Sequence, residues 1–228
     1  MSARGPRAAV HTARVALVLY GLDNSPNVER ARLALAHKGL EYEQAWIDFD
    51  DRTLVLAVSD QERVPVLEHD ARVISGSMAI VAHLDEHFPE RPLEPADDDL
   101  AAGAAAFVAW FEHAWKAAFN GLVDDLLAGR GDESEARGHV AVLAEGLDRM
   151  EALLDGRDFL FGTFSAADIA AYPFVGRAAG LAPDDDAFPE VVMRDHQRLG
   201  STHPRLRAWI ARLDALPEGY GPRGPESA

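Results

Sequence analysis

Cysteine is absent from this 228-residue sequence, which removes disulfides, thiolate metal sites and dithiol exchange together. Long apolar runs are absent too. Val15 to Tyr20 and Leu100 to Trp110 are too short, or too rich in Ala and Gly, to cross a bilayer, which takes about 20 consecutive apolar residues. The arginines near Met1 precede an apolar run only as long as a strand. Asp23, Asn24 and Ser25 stop that run without a cleavage signal, so no targeting segment is read there. Basic residues are few beside acidic ones, 22 against 38, for a net charge of −16. With no compact Lys/Arg cluster, the chain repels nucleic acid phosphates and anionic lipid. The nine histidines show no spacing with carboxylates that suggests a metal, and His83 and His87, one helical turn apart, read as surface or dimer polar groups. What remains is ordinary globular usage, 48% hydrophobic and 26% charged, in a soluble chain for which a cytoplasmic setting fits.

The apolar pattern then orders the elements. Val15 to Tyr20 reads as a buried strand broken by Gly21 to Asn24. Ser25-Pro26 starts a helix, the serine able to cap free amides and the proline suited to the first helical position, with Val28, Ala31 and Leu35 on one buried face. Gly39 ends it. Glu41 to Ile47 is a second strand, and Asp48 to Gln61 is polar and irregular with a short helical stretch. Val64 to Glu68 and Arg72 to Ile74 form a hairpin around His69-Asp70. Pro65 cannot donate to a ladder, so it belongs where that strand begins or where the backbone turns outward to meet something else. Ile80, Val81, Leu84 and Phe88 mark an amphipathic helix closed by Pro89 and Pro92.

The order is βαβαββα across residues 14–91, after a loose tail at 1–13. A Pro/Asp-rich linker follows at 92–99, and residues 100–216 read as helix throughout. Stripes such as Val140, Leu143, Leu147, Met150 and Leu154, or Leu206, Trp209, Ile210 and Leu213, are core there. Residues 217–228 form a second tail. Ser165 and Asp168 have capping-box spacing and are assigned to folding.

Three segments carry a resemblance: LYGLDNSPNVERARLALAHKGLEYE (19–43), RVPVLEHDARVISGSMAIVAHLDEHFP (63–89) and FLFGTFSAADIAAYP (159–173). With the element order, they resemble the cytosolic glutathione transferase superfamily, the first segment being most like its omega-like and other Ser/Cys-type classes. The resemblance implies an α/β, thioredoxin-like N-terminal domain followed by an all-α C-terminal domain. It also implies glutathione as substrate or cosubstrate, and a homodimer in which the helix from Met78 onward meets the partner's helical domain.

The resemblance places Ser25 where the activating residue sits, and the physics agrees: a hydroxyl beside a helix N-terminus can donate to a sulfur anion while also capping the helix. Asn24 and Tyr20 are neighbours that could donate instead, though Tyr20 reads better as packing. The family's proline is cis, so Val64 and Pro65 are expected to offer main-chain pairing to the cysteinyl part of glutathione. At Ser75-Gly76-Ser77 the sequence departs from the family pattern. Ser77 and the helix amides can hold the γ-glutamyl carboxylate, but Gly76 stands where an acidic side chain usually takes the ammonium. Arg52 or Gln61 could meet the glycyl end. In the aromatic cluster, Trp110 and Phe111 read as core or dimer contacts. His113, Trp115, Tyr172 and Asn24 are the candidate substrate pocket, with Phe174 as a further wall residue.

These readings describe an enzyme that activates a glutathione-like thiol for attack on an apolar electrophile. Two alternatives stand beside it: a glutathione-dependent isomerase or etherase, and a non-catalytic ligand- or protein-binding module kept on the same fold.

Overall fold

Alternation along the first strand, β1 (Leu17–Gly21), decides what packs on each side of the sheet. Leu17 and Leu19 face a core shared with α1 (Pro26–Lys38) and α3 (Ser77–His87), whereas Tyr20 joins Ile47, Val55 and Val66 beneath α2 (Thr53–Ser59). The computed structural model describes residues 17–127, 133–180, 199 and 201–216. The tails expected at 1–13 and 217–228, and the start of the first expected strand at Val15, lie outside the described residues.

Strands β2 (Glu43–Trp46), β3 (Val66–His69) and β4 (Arg72–Ser75) complete a four-stranded sheet of order β2-β1-β3-β4. β2 runs parallel to β1, and β3 and β4 pair antiparallel. This is the βαβαββα order, with the second strand shorter than the Glu41 to Ile47 expected. Gly21 closes β1 for a steric reason. A Cβ there would lie 2.5 Å from a Val28 methyl, so only glycine lets α1 come this close to the strand end.

The second half is helical: α4 (Asp98–Trp110), a π-helical turn (Phe111–Trp115), α5 (Lys116–Leu127), α6 (Glu133–Leu153), α7 (Ala166–Gly180) and α8 (Pro204–Asp214). It is not helix throughout, because the chain between Leu154 and Ser165 forms turns and a small bridge. Asp168 stabilises that excursion. Its carboxylate accepts from the Leu160 and Ser165 amides at 3.0 Å each, from the Ser165 hydroxyl at 2.9 Å and from the Trp209 indole at 2.8 Å. The reach back to the Ser165 amide is the expected half of a capping box; the serine hydroxyl, however, points to the carboxylate. The predicted stripes on α6 and α8 are core: Leu143, Leu147, Met150, Leu206, Trp209, Ile210 and Leu213 are all buried.

The two halves meet along α1 and α7. Ile169 of α7 enters the core under the sheet, and the fully buried Arg30 of α1 sends Nε and Nη2 to the Ala170 carbonyl at 3.0 and 2.5 Å. Its guanidinium lies 4.6 Å from the Phe174 ring centroid and 2.7 Å from a Glu112 oxygen. Lys38 closes the other end of α1, donating to Asp85 at 2.5 Å and to the Phe88 carbonyl at 2.8 Å.

Two stability predictions follow from these buried polar groups. Arg30→Met removes both donors from the Ala170 carbonyl and abolishes the ion pair, leaving Glu112 with Lys116 alone, so urea unfolding should show a loss of about 3 kcal/mol. Burial pushes the Asp168 carboxyl up from 3.8 to about 6, against the opposite pull of its four donors. A carboxyl with a raised folded pKa contributes stability that is complete below its unfolded pKa and is lost as pH rises through the folded one. The stability advantage of wild type over Asp168→Asn should therefore shrink between pH 4 and pH 6, measured by denaturant unfolding across that window.

Candidate functional site

β1 runs out at Gly21 and the chain turns through Asp23 and Asn24 into Ser25, the N-cap of α1. The Ser25 backbone is extended, and its Oγ accepts from the Val28 amide at 3.4 Å. Capping uses a lone pair of the hydroxyl and leaves its proton free to donate elsewhere. Half-buried, Ser25 stands at the positive end of a 13-residue helix.

The antiparallel register brings the second element to the same place. Tyr20 pairs with Val66, so Val64 and Pro65 stand level with the residues where β1 ends, and Val64 and Leu22 pack against the same small core of Tyr20, Ile47, Val55 and Val66. The Val64-Pro65 bond is cis. The Pro65 carbonyl accepts from the Gly76 amide at 3.1 Å, which draws in the third element. Gly76, with φ of 97°, caps α3 without any side-chain hydrogen bond. A Cβ added there would meet nothing within 4 Å, but that φ is strained for every residue except glycine.

Beneath these three segments lies a polar cluster that the sequence reading missed. Lys116 donates to the Asn27 side-chain oxygen at 2.9 Å, which also receives Arg30 at 3.2 Å and the Ser77 hydroxyl at 3.4 Å. Arg30 donates to the Ser77 Oγ at 3.3 Å. Glu112 joins through one oxygen to Arg30 and through the other to Lys116 at 3.0 Å. Desolvation pulls the Arg30 guanidinium down to about 10, so it stays charged at neutral pH. Burial pushes the Glu112 carboxyl up, but Arg30 and Lys116 outweigh it and hold its pKa below the usual range. Burial, then Arg30, lower the Lys116 ammonium. The signal that could have found this cluster was a charged residue among the apolar positions of α1, with a Glu/Lys pair one turn apart on the facing helix.

Other expected site residues separate. Asn24 and Tyr172 share a hollow of about 340 Å³ that is polar, lined also by Asp23, Glu29, Arg32 and Asp214. The Tyr172 hydroxyl donates to Asp214. His113 is exposed and stands elsewhere, on an apolar hollow of about 450 Å³ between α3 and α4 that also takes in Met78, Val81, Ala105 and Val108. Trp115 is not a pocket residue. It is fully buried, stacked 4.7 Å from Phe111, with its indole N–H on the Leu143 carbonyl at 3.2 Å. Phe111, Trp115 and Phe119 repeat every four residues along the helix and therefore share its inner face.

Tyr20 is excluded as a donor by the sheet's alternation. Its hydroxyl lies on the α2 side and donates to Glu68 at 3.0 Å, and burial, then Glu68, raise its pKa. Gln61 spends its side chain on the turn, bonding Ser59 and Arg63, while Arg52 lies over Phe49. His83 and His87 gather with His69, whose Nδ1 is 2.8 Å from the His83 Nε2. No group of three or more His, Asp or Glu among the described residues is arranged to hold a metal ion.

Similarity to known proteins covers both halves. Residues 19–92 match the glutathione S-transferase N-terminal domain model and residues 108–212 the C-terminal domain model. A probable glutathione S-transferase GSTU1 of Oryza sativa subsp. indica is 30% identical over 217 residues, covering 88% of this chain and 86% of that protein. A maleylacetoacetate isomerase of Pseudomonas aeruginosa is 30% identical over 204 residues, covering 83% of this chain and 93% of its own. The crystal structure of rice GST1 in complex with glutathione superposes with a TM-score of 0.70 at 25% identity, over 90% of this chain and 89% of that one. Matched in both halves and over nearly its whole described length, the chain belongs to the glutathione S-transferase family.

Proposed function

We propose that this protein is a glutathione transferase-like enzyme in which Ser25 stabilises the thiolate of a bound glutathione-type thiol for attack on an electrophilic carbon. The observation that carries the reading is the convergence of Ser25, the cis Val64-Pro65 bond and the α3 N-terminus at one end of the sheet. Val64 offers its main chain to the cysteinyl part of the peptide, and Ser77 with the first amides of α3 holds the carboxylate of the γ-glutamyl arm. The thiol loses its proton to solvent. Ser25 donates a hydrogen bond to the resulting sulfur anion without transferring its own proton, and the helix end favours the charge. Sulfur then forms the new bond to carbon, and the leaving group departs with the bonding pair.

The maleylacetoacetate isomerase relative favours a second reading, in which the same thiolate adds to the substrate, permits rotation and is expelled unchanged. Product analysis separates the two: a transferase consumes thiol stoichiometrically, and an isomerase returns it. The site for a second copy is the apolar hollow between α3 and α4, and the setting is cytoplasmic. No described helix is long and apolar enough to cross a membrane.

Calorimetric titration with glutathione tests the thiol site. Saturable binding that weakens in Ser77→Ala and disappears in Val64→Pro supports it, and flat heats at millimolar glutathione defeat it. Ser25→Ala should lower kcat/KM roughly a hundredfold, the order expected for losing one donor to a developing or bound anion. It should also move the pKa of the bound thiol upward toward its free value of about 8.5, read from thiolate absorbance against pH. A variant that loses only about 1 kcal/mol of stability, with thiol pKa and turnover unchanged, would reduce Ser25 to a helix cap. Sedimentation at micromolar concentration should give a dimer, converted to monomer by Ala105→Glu, which introduces a charge into the apolar hollow.

A further inference from the structure

The charges around Ser77 speak to which thiol fits, given that the thiol-site reading above holds. Glutathione's γ-glutamyl arm ends in a carboxylate and an ammonium on the same carbon, so a site built for both needs donors or cations for one and an acid for the other. The cationic half is present. Arg30, fully buried, touches the Ser77 hydroxyl at 3.3 Å, and Lys116 reaches it through Asn27.

The acidic half is not free. Among the described residues, Glu112 is the carboxylate that contacts this cluster: one oxygen receives Lys116 at 3.0 Å, and the other, buried and without a hydrogen bond, is ion-paired to Arg30 at 2.7 Å. Arg30 and Lys116 against Glu112 leave one positive charge in excess. Gly76, directly before Ser77, brings no side chain, and its φ of 97° disfavours any residue that would. An ammonium placed here would meet a net positive cluster whose carboxylate is already ion-paired through both oxygens. A carboxylate would meet the field of the excess cation and the uncapped amides of α3.

We infer that the subsite at Gly76 and Ser77 takes an acyl-cysteinyl thiol whose terminal carboxylate has no neighbouring ammonium, the deamino counterpart of glutathione's γ-glutamyl arm. Main-chain pairing at Val64 is indifferent to this difference, because it engages the cysteinyl residue. Selection between the two thiols therefore falls on the cluster under Ser77.

The test is a side-by-side calorimetric titration of the full-length wild-type protein at pH 7 with glutathione and with glutaryl-cysteinyl-glycine, which differs only by lacking the α-amino group. The deamino thiol should bind at least about threefold tighter. Equal or tighter binding of glutathione overturns the inference while leaving the thiol site standing. Failure of both ligands to saturate at millimolar concentration overturns the thiol-site reading itself. Gly76→Glu supplies the missing acid and should reverse the preference, and a folded variant that keeps the wild-type ratio also counts against the assignment. Should the strained backbone prevent that variant from folding, as a thermal melt would reveal, the wild-type ratio decides alone.

Discussion

One buried cation ties together elements from both halves of this molecule. Arg30 emerges from α1, the helix that carries Ser25, and is held by the Ala170 carbonyl, the Glu112 carboxylate, the Phe174 ring and the Ser77 hydroxyl. A guanidinium without water is tolerated only when its donors are met, and here the donors are met by three different elements. α1, the first turn of α3 and the helical half are thus tied to one planar group. Lysine could not replace it, since a point ammonium cannot reach a carbonyl, a carboxylate and a hydroxyl in fixed directions at once.

The polar cluster also explains the irregular helix opposite. Between α4 and α5 the Lys116 amide bonds back to the Phe111 carbonyl, a π turn that takes in one extra residue. Phe111 and Trp115 stay in the core on either side of it, while Glu112 and Lys116 reach toward Asn27 and Arg30. Hydrophobic packing and charge pairing are thereby served by adjacent positions of a single helix.

Much of the fold could be read from the chain because its signals are local. Ser25-Pro26 announces a helix start, Pro65 marks the head of a strand, and the stripes on α6 and α8 repeat at helical spacing. Ser25, Val64 and Ser77 were singled out for chemistry for the same reason, although their convergence depends on strand register, which no local pattern encodes. Trp115 was misread because an aromatic residue near a supposed pocket looks the same in sequence whether it lines or fills it. Its four-residue spacing from Phe111 and Phe119 was the better guide. Arg30 went unnoticed because its partners come from residues 77, 112 and 170, far apart along the chain, so that its place among the apolar positions of α1 hints at burial without naming what it meets.

The placement of that cation has a kinetic side. The chain as a whole is strongly acidic, with a net charge of −16, and the positive excess lies under its surface rather than on it. An anionic ligand approaching from solution is repelled at long range and attracted only within the last few ångströms, after shedding water. Dissolved salt weakens the outer repulsion more than the enclosed contacts. Association of an anion with this site should therefore quicken as ionic strength rises, the reverse of electrostatic steering, while escape remains governed by the short-range bonds.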